Sequence, residues 1–162
     1  MTRIARLALL LAVTATISCD RISKHVAVNT LAGNPSQSFL ADTVRLEYAE
    51  NAGAFMSLGA EWPAGARIAV FGICNAVLLS ALVTVAIRRQ WPRLALVGVA
   101  LFAAGGASNL LDRIVYGNVI DFMNVGVGPV RTGIFNVADM AVMLGAATVL
   151  WASYRAERHH HA

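Results

Sequence analysis

Charged residues are scarce in this chain. Asp, Glu, Lys and Arg make up 14% of its 162 residues, whereas hydrophobic residues make up 57% and the mean hydropathy is +0.62. A typical soluble domain is about 25% charged and about 45–50% apolar. This composition excludes a disordered chain and disfavours an ordinary soluble globule. It predicts a small membrane protein that crosses the bilayer several times.

The chain has too few cysteine and histidine residues for a disulfide framework, a zinc site or a Ser–His–Asp catalytic set. Cys19 and Cys74 lie in apolar runs without CxxC or metal-ligand spacing, so we expect no disulfide framework and no zinc site. His25 is the only histidine outside the tail 159–161, which we interpret as a polar cytoplasmic end or a tag remnant. No Ser–His–Asp set can be assembled, and HExxH, P-loop and GxGxxG motifs are absent. The net charge of +4 is not gathered on one face, which argues against nucleic-acid binding.

Long apolar runs are plentiful instead. Segments 68–87, 94–111 and 135–154 each approach the roughly 20 apolar residues that cross a bilayer, and Asp139 is their only charged residue. A fourth run starts at Leu7 and can span only if its helix continues through Asp20 and Lys24. We therefore predict an all-α polytopic membrane protein, with a single integral membrane domain over 1–162. Its four transmembrane helices are expected at 4–28, 67–88, 93–114 and 134–155.

The basic residues predict the orientation of these spans. With four spans, both termini and the loop 88–93 share a side with seven basic residues and one acidic residue, against six basic and eight acidic residues on the other. The positive-inside rule then places both termini in the cytoplasm. Residues 1–19 also resemble a signal peptide that ends at Cys19, but three further spans follow and disfavour a cleaved leader.

The outer segments, 29–66 and 115–133, are predicted to be more than connectors. Residues 44–48 alternate between apolar and polar, as a half-buried strand does, and residues 51–53 have the composition of a turn. The second segment is short and rich in glycine. We expect a small β-rich extracytoplasmic element on the membrane surface.

Polar residues gather at the outer ends of the predicted spans, where burying a charge in the bilayer is costly. Asp20 and Lys24 are four residues apart and share a helix face, so a structural ion pair is favoured there over direct catalysis. Asn109, Asp112 and Arg113 lie on nearly one face of the third predicted helix. For them, helix packing and a site-building role stay equally open.

Asp121 and Asp139 are the best candidates for catalysis. Asp121 is flanked by apolar residues, and Asp139 lies about one turn into the fourth predicted helix, three residues after Asn136. The alternatives are an N-cap role for Asn136 and a helix-dipole role for Asp139. Two carboxyls in one partly desolvated site have pKa values that are pushed apart, so that one holds a proton while the other is ionised. Aspartic proteases use this arrangement to activate water and polarise the scissile carbonyl.

Five motifs, in order on four spans, resemble bacterial lipoprotein signal peptidase, the signal peptidase II family of aspartic peptidases. They are Asp20-x-x-Ser23-Lys24, Asn51-x-Gly53-Ala54, Asn109-x-x-Asp112-Arg113, Val119-x-Asp121-Phe122 and Phe135-Asn136-x-Ala138-Asp139. The resemblance covers nearly the whole chain. Ser108 stands where the family commonly has glycine, and segment 54–56 is one alanine shorter than the commonest form. Both departures lie at packing or turn positions.

The resemblance implies an intramembrane endopeptidase that removes signal peptides from prolipoproteins by cleaving before a diacylglyceryl-modified cysteine. It implies that Asp121 and Asp139 are the catalytic dyad and that no metal or organic cofactor takes part. The substrate-binding or site-shaping residues that it implies are Asp20, Lys24, Asn51, Gly53, Asn109, Asp112, Arg113, Asn136 and Ala138.

The implied partners are prolipoproteins and membrane lipid, without nucleic acid. We also expect a monomer in the bacterial inner membrane, with its active site near the outer face. The alternative is a non-enzymatic small membrane transport or assembly protein. That alternative predicts charges spread through the membrane depth, whereas here they collect at one edge.

Overall fold

Five helices and four short strands make up the part of the chain that the computed structural model describes, residues 3–53, 59, 61–88 and 91–160. The helices are α1 (Arg3–Leu31), α2 (Ala64–Arg67), α3 (Cys74–Arg88), α4 (Arg93–Tyr116) and α5 (Val137–His160), with a π-helical stretch (Ile68–Ile73) between α2 and α3. The strands are β1 (Gln37–Phe39), β2 (Val44–Asn51), β3 (Val119–Val127) and β4 (Val130–Arg131). The molecule is thus mostly helical with one small sheet, as the sequence predicted in outline.

Three stretches of helix within the described residues are long and apolar enough to cross a membrane. They are Gly65–Leu82, Arg93–Tyr116 and Val137–Arg158. The predicted count of four is therefore not matched exactly. Helix α1 has 29 residues, enough for a length of about 43 Å, but it carries Asp20, Arg21 and Lys24 besides two N-terminal arginines. These charges lower its apolar character, and length alone does not make it a span.

The helix ends follow local chemistry. Helix α1 ends at Leu31 and is followed by Gly33 at φ +74° and by Pro35, neither of which continues a helix. Helix α4 ends in the same way, because Gly117 adopts φ +78° and its N–H donates to the carbonyl oxygen of Arg113. These two ends deliver the chain into β1 and β3.

The sheet joins both predicted outer segments. Its order is β1-β2-β3-β4, and all neighbouring strands are antiparallel. Strand β2 contains the predicted strand 44–48, and its pairing with β3 is interrupted by a bulge between Leu46 and Ala49. The glycine-rich segment 115–133 supplies β3 and β4. The sheet packs on the end of α1, where Ala27, Leu31 and Phe122 are buried together.

Small residues allow α4 and α5 to approach closely. A Cβ at Gly98 would come within 2.7 Å of the carbonyl oxygen of Gly145, and one at Gly105 would overlap the carbonyl oxygen of Ala138. Close approach through small residues is typical of helix pairs in membranes. This packing sets the distance between Asn109 on α4 and Asp139 on α5, and the candidate site depends on it.

Candidate active site

Asp121 is held on β3 by two side-chain amides. Its side chain lies among buried residues and is only 3% exposed. Asn51 Nδ2 donates to Asp121 Oδ2 at 3.0 Å, and Asn136 Nδ2 donates to Asp121 Oδ1 at 2.6 Å. The strand register explains the first contact, since Asn51 on β2 pairs with Val119 on β3. Backbone bonds between Met123 and Phe135 bring the second donor alongside β3.

Asp139 is held in the first turn of α5. Asn109 Nδ2 donates to Asp139 Oδ1 at 2.8 Å, and the backbone N–H of Asn136 donates to Asp139 Oδ2 at 3.1 Å. The backbone N–H of Asp139 donates in return to Asn136 Oδ1 at 2.9 Å. These reciprocal bonds form a capping box, so the N-cap interpretation of Asn136 describes its local contacts.

Asn136 also links the two carboxylates. It is fully buried, and its Nδ2 lies 3.2 Å from Asn109 Oδ1 and 3.3 Å from the carbonyl oxygen of Ile120, besides its bond to Asp121. An amide nitrogen has two hydrogens, so it can satisfy two of these three acceptors at once. Within the described residues no hydrogen bond joins Asp121 and Asp139 directly. The two carboxylates are instead connected through the amides of Asn136 and Asn109.

Burial changes the proton affinity of Asp121. The pKa of Asp121 is raised from 3.8 to about 6, mainly by its removal from water and in part by the negative charge of Asp139, while the hydrogen bonds from Asn51 and Asn136 oppose the rise. A carboxyl with a pKa in this range can hold or release a proton near neutral pH. This property is needed for general acid–base catalysis.

An ionic cluster lies directly behind the two aspartates. Lys24 is 2% exposed, and its Nζ lies 2.7 Å from Asp20 Oδ2, 2.7 Å from Asp112 Oδ2 and 2.9 Å from Asn109 Oδ1. Arg21 donates to the other oxygen of Asp112. The predicted pair of Asp20 and Lys24 is present, but the sequence did not indicate that Asp112 joins it.

Asp20 on α1 forms hydrogen bonds to both α4 and α5. Besides Lys24, it accepts hydrogen bonds from Ser108 Oγ at 2.7 Å and from the backbone N–H of Ala138 at 2.9 Å. Ser108 was predicted to be a packing position, and its hydrogen bond to Asp20 was not predicted. The available signal was a hydroxyl among small residues, directly before Asn109. Among the hydrogen bonds and ion pairs of the described residues, none joins Asp20, Asp112 or Ala138 to the carboxylates of Asp121 and Asp139.

Arg113 and the turn at residues 51–53 form one wall of the site. Arg113 donates to the carbonyl oxygen of Gly53 at 2.7 Å and to that of Asn109 at 3.2 Å. The N–H of Gly53 donates to Asn51 Oδ1 at 3.0 Å, which closes the turn. Arg113 Nε is buried without a partner in the described part of the chain. Ala54 of the predicted Asn51-x-Gly53-Ala54 motif lies outside the described residues, as does the rest of the segment 54–56.

Both aspartates line a cavity of about 550 Å³. Asn51, Asn109 and Arg113 supply its polar wall. Apolar side chains from α4 and α5, including Phe102, Met140 and Met143, supply the rest. No group of three His, Cys, Asp or Glu side chains that could hold a metal ion occurs in the described ranges. The cavity thus combines two carboxylates and a few other polar groups with a mostly apolar lining.

Two partly desolvated carboxyls beside an apolar cleft are the kind of site that aspartic peptidases use. The family model for signal peptidase (SPase) II matches residues 12–155. The chain belongs to the signal peptidase II family, and its identification as a peptidase is confirmed. A non-enzymatic membrane protein is not favoured.

Named relatives agree with this assignment. The chain is 34% identical over 133 residues to the lipoprotein signal peptidase of Syntrophomonas wolfei, covering 81% of this chain and 82% of that one. It is 30% identical over 138 residues to the lipoprotein signal peptidase of Moorella thermoacetica, covering 83% and 85%. It is also similar in fold to a bacterial membrane enzyme solved in meso at 2.3 Å, with a TM-score of 0.77 and 22% identity over 91% of this chain and 88% of that one.

Proposed function

We propose that this enzyme cleaves prolipoproteins immediately before a diacylglyceryl-modified cysteine, with Asp121 and Asp139 as the catalytic dyad. One observation supports the assignment above the others: both carboxylates face the same cavity, each held by two N–H donors. The apolar side of that cavity suits a substrate whose signal peptide and lipid are both hydrophobic.

The proposed reaction uses one proton shared by two carboxyls. The ionised carboxylate takes a proton from water, and the resulting hydroxide attacks the carbonyl carbon of the scissile bond. The protonated carboxyl donates its proton to the carbonyl oxygen. The tetrahedral intermediate then collapses as the C–N bond breaks, and the nitrogen leaves with the proton that the first carboxylate took from water. One hydroxyl of the intermediate returns its proton to the second carboxylate, which leaves a carboxylic acid product and a dyad that again holds one proton.

The other predicted site residues fall into two groups by their contacts. Asn51, Asn109 and Asn136 donate to the carboxylates and would fix their orientation. Gly53 and Arg113 form the wall beside them and would shape substrate entry. The residues behind the dyad, namely Asp20, Lys24, Asp112 and Ala138, would hold α1, α4 and α5 in register.

We place the chain in the bacterial inner membrane as a single four-span domain with both termini in the cytoplasm and the dyad near the outer face. Helix α1 would be the fourth span, since it is long enough and its Asp20 and Lys24 are turned inward and buried. The excess of basic residues beside the termini supports the orientation. We expect the enzyme to act as a monomer, surrounded by lipid and without nucleic acid.

The test is cleavage of a diacylglyceryl-modified prolipoprotein by the purified chain in lipid. Asp121→Asn and Asp139→Asn should each abolish cleavage, because neither amide can exchange the proton that the reaction needs. Asp42→Asn is the matched control. Asp42 lies outside the dyad at φ +67°, a backbone conformation that asparagine tolerates well, and this variant should cleave normally.

Substantial cleavage by Asp121→Asn or Asp139→Asn would refute the dyad. Folding of each variant is checked by its melting temperature in the same detergent. If the folded wild type left a lipid-modified substrate intact, the proposed substrate would be wrong.

A further inference from the structure

A second cavity lies on the opposite face of the sheet from the dyad. It has a volume of about 610 Å³ and is lined on one side by Arg21, Lys24, His25 and Val28 of α1, and on the other by Tyr48, Glu50, Tyr116, Asn118 and Ile120. We call it the back cavity. Successive strand residues point to opposite faces of a sheet, and here Ile120 and Glu50 line the back cavity while Asp121 and Asn51 line the active site. A ligand in the back cavity would therefore not reach the dyad.

The back cavity carries opposite charges on facing elements. Arg21 on α1 donates through one nitrogen to Asp112, and its other N–H groups have no partner within the described ranges. Glu50 on β2 accepts from the Tyr48 hydroxyl at 2.8 Å and from Asn118 at 2.5 Å. A carboxylate can accept about four hydrogen bonds, so Glu50 keeps capacity for a cationic donor.

Two tyrosines near Glu50 also favour a cationic ligand on this side of the cavity. Burial raises the pKa of Tyr48 to about 12, and the bond to Glu50 contributes, so its hydroxyl stays protonated and keeps donating. Two tyrosine rings, Tyr48 and Tyr116, border the cavity, and aromatic faces attract ammonium groups. Tyrosine is also enriched where a span meets the membrane surface, as Tyr116 does at the end of α4.

The cavity opens outwards at the end of a membrane span. Tyr116 is 59% exposed and Val28 36% exposed, so its rim is accessible from the surroundings of α4 and α1. Val28 and Ile120 add apolar wall. A ligand that fits must combine an anion for Arg21, a hydrogen-bonding cation for Glu50 and an apolar part.

We propose that the back cavity binds the headgroup of a phosphatidylethanolamine-type phospholipid, with the phosphodiester at Arg21 and the primary ammonium at Glu50 and the tyrosines. Such a lipid would bridge α1 and β2 and hold the sheet against the helices. The site is separate from the proposed catalytic function, and its occupancy can be measured without any cleavage assay.

The test uses the purified full chain in mixed micelles that contain phosphatidylethanolamine, phosphatidylcholine or phosphatidylglycerol with identical acyl chains. The readout is melting temperature against lipid mole fraction, because a ligand that binds the folded state raises it. We expect half-maximal stabilisation at about tenfold less phosphatidylethanolamine than phosphatidylcholine, since the quaternary ammonium cannot donate to Glu50. Phosphatidylglycerol, which has no cation, should be equally weak.

Glu50→Gln should remove the preference for phosphatidylethanolamine. Glu47→Gln removes the same charge from the same strand but lies outside the cavity lining, and it should keep the preference. Asp121→Asn should keep it as well, which separates this site from the dyad. Equal affinity for all three lipids, or an unchanged preference in Glu50→Gln, would overturn the proposal. Equal stabilisation by water-soluble glycerophosphoethanolamine would overturn the assignment to a lipid.

Discussion

The stability of the Asp121→Asn variant should fall less with rising pH than the stability of wild type does. Burial raises the pKa of Asp121 from 3.8 to about 6. The folded chain therefore binds this proton more tightly than the unfolded chain does. The resulting stabilisation is complete below pH ~4 and is lost as the pH rises through about 6. The rise of this pKa from 3.8 to about 6 corresponds to about 3 kcal/mol over the whole interval. The side chain is only 3% exposed, so screening by water reduces this figure little.

Thermal unfolding of wild type and Asp121→Asn at pH 4.5 and at pH 7.5 measures this effect. Between these two pH values the contribution of Asp121 to the free energy of unfolding falls by about 2 kcal/mol. For a chain of this length, about 1 kcal/mol corresponds to a change of about 2–4 °C in melting temperature. The melting temperature of the variant minus that of wild type should therefore be about 4–8 °C higher at pH 7.5 than at pH 4.5. Comparing the two pH values cancels the cost of placing an amide against the N–H donors of Asn51 and Asn136.

Asp42→Asn is the control for this measurement. Hydrogen bonds from Arg45 and Ser38 hold the pKa of Asp42 well below its usual range, so its carboxylate stays ionised in the folded state at both pH values. Its substitution should change the melting temperature nearly equally at pH 4.5 and 7.5. If Asp121→Asn also changed the melting temperature equally at pH 4.5 and 7.5, ionisation of Asp121 would carry no cost in stability. The prediction would then be wrong.

Two further substitutions test the site and its support. The hydrogen bond from Asn51 lowers the pKa of Asp121, so Asn51→Ala should move the alkaline limb of the kcat/KM profile to higher pH, and an unmoved limb would contradict this role. Gly105→Ala should destabilise the fold by about 1–3 kcal/mol and reduce cleavage, because its Cβ would overlap the carbonyl oxygen of Ala138. Gly72→Ala, where an added Cβ meets no atom within 4 Å, should unfold and cleave as wild type does.

The helices were predictable because a long apolar run suffices to indicate them. Helix α4 (Arg93–Tyr116) matches the predicted 93–114 within two residues, and α5 (Val137–His160) begins three residues after the predicted 134. Strands β3 and β4 were harder to predict, since segment 115–133 is rich in glycine and has weak alternation. It forms strands because it pairs with β2 on one side and with Phe135 on the other. Such pairing depends on residues distant in sequence.

The same limit applies to the candidate site. Contacts within one helix, such as Asp20 with Lys24 or Asn136 with Asp139, follow from spacings of four and three residues. Contacts between helices, such as Lys24 with Asp112, depend on how α1 packs on α4, and no spacing in the sequence encodes that. The order of the motifs could indicate a shared site, but not which residue touches which.

The ionic cluster behind Asp121 and Asp139 serves to orient side chains more than to stabilise the fold. Its four charges, Asp20, Arg21, Lys24 and Asp112, sum to zero, and a buried set of this kind often stabilises no better than apolar residues of the same volume. Its specific effect passes through Asn109. Lys24 can only donate hydrogen bonds, so Asn109 must present Oδ1 to Lys24 and is left with Nδ2 for Asp139. The charges at the end of α1 thereby fix the direction of one amide, and that amide ensures that Asp139 meets a donor and not a second acceptor.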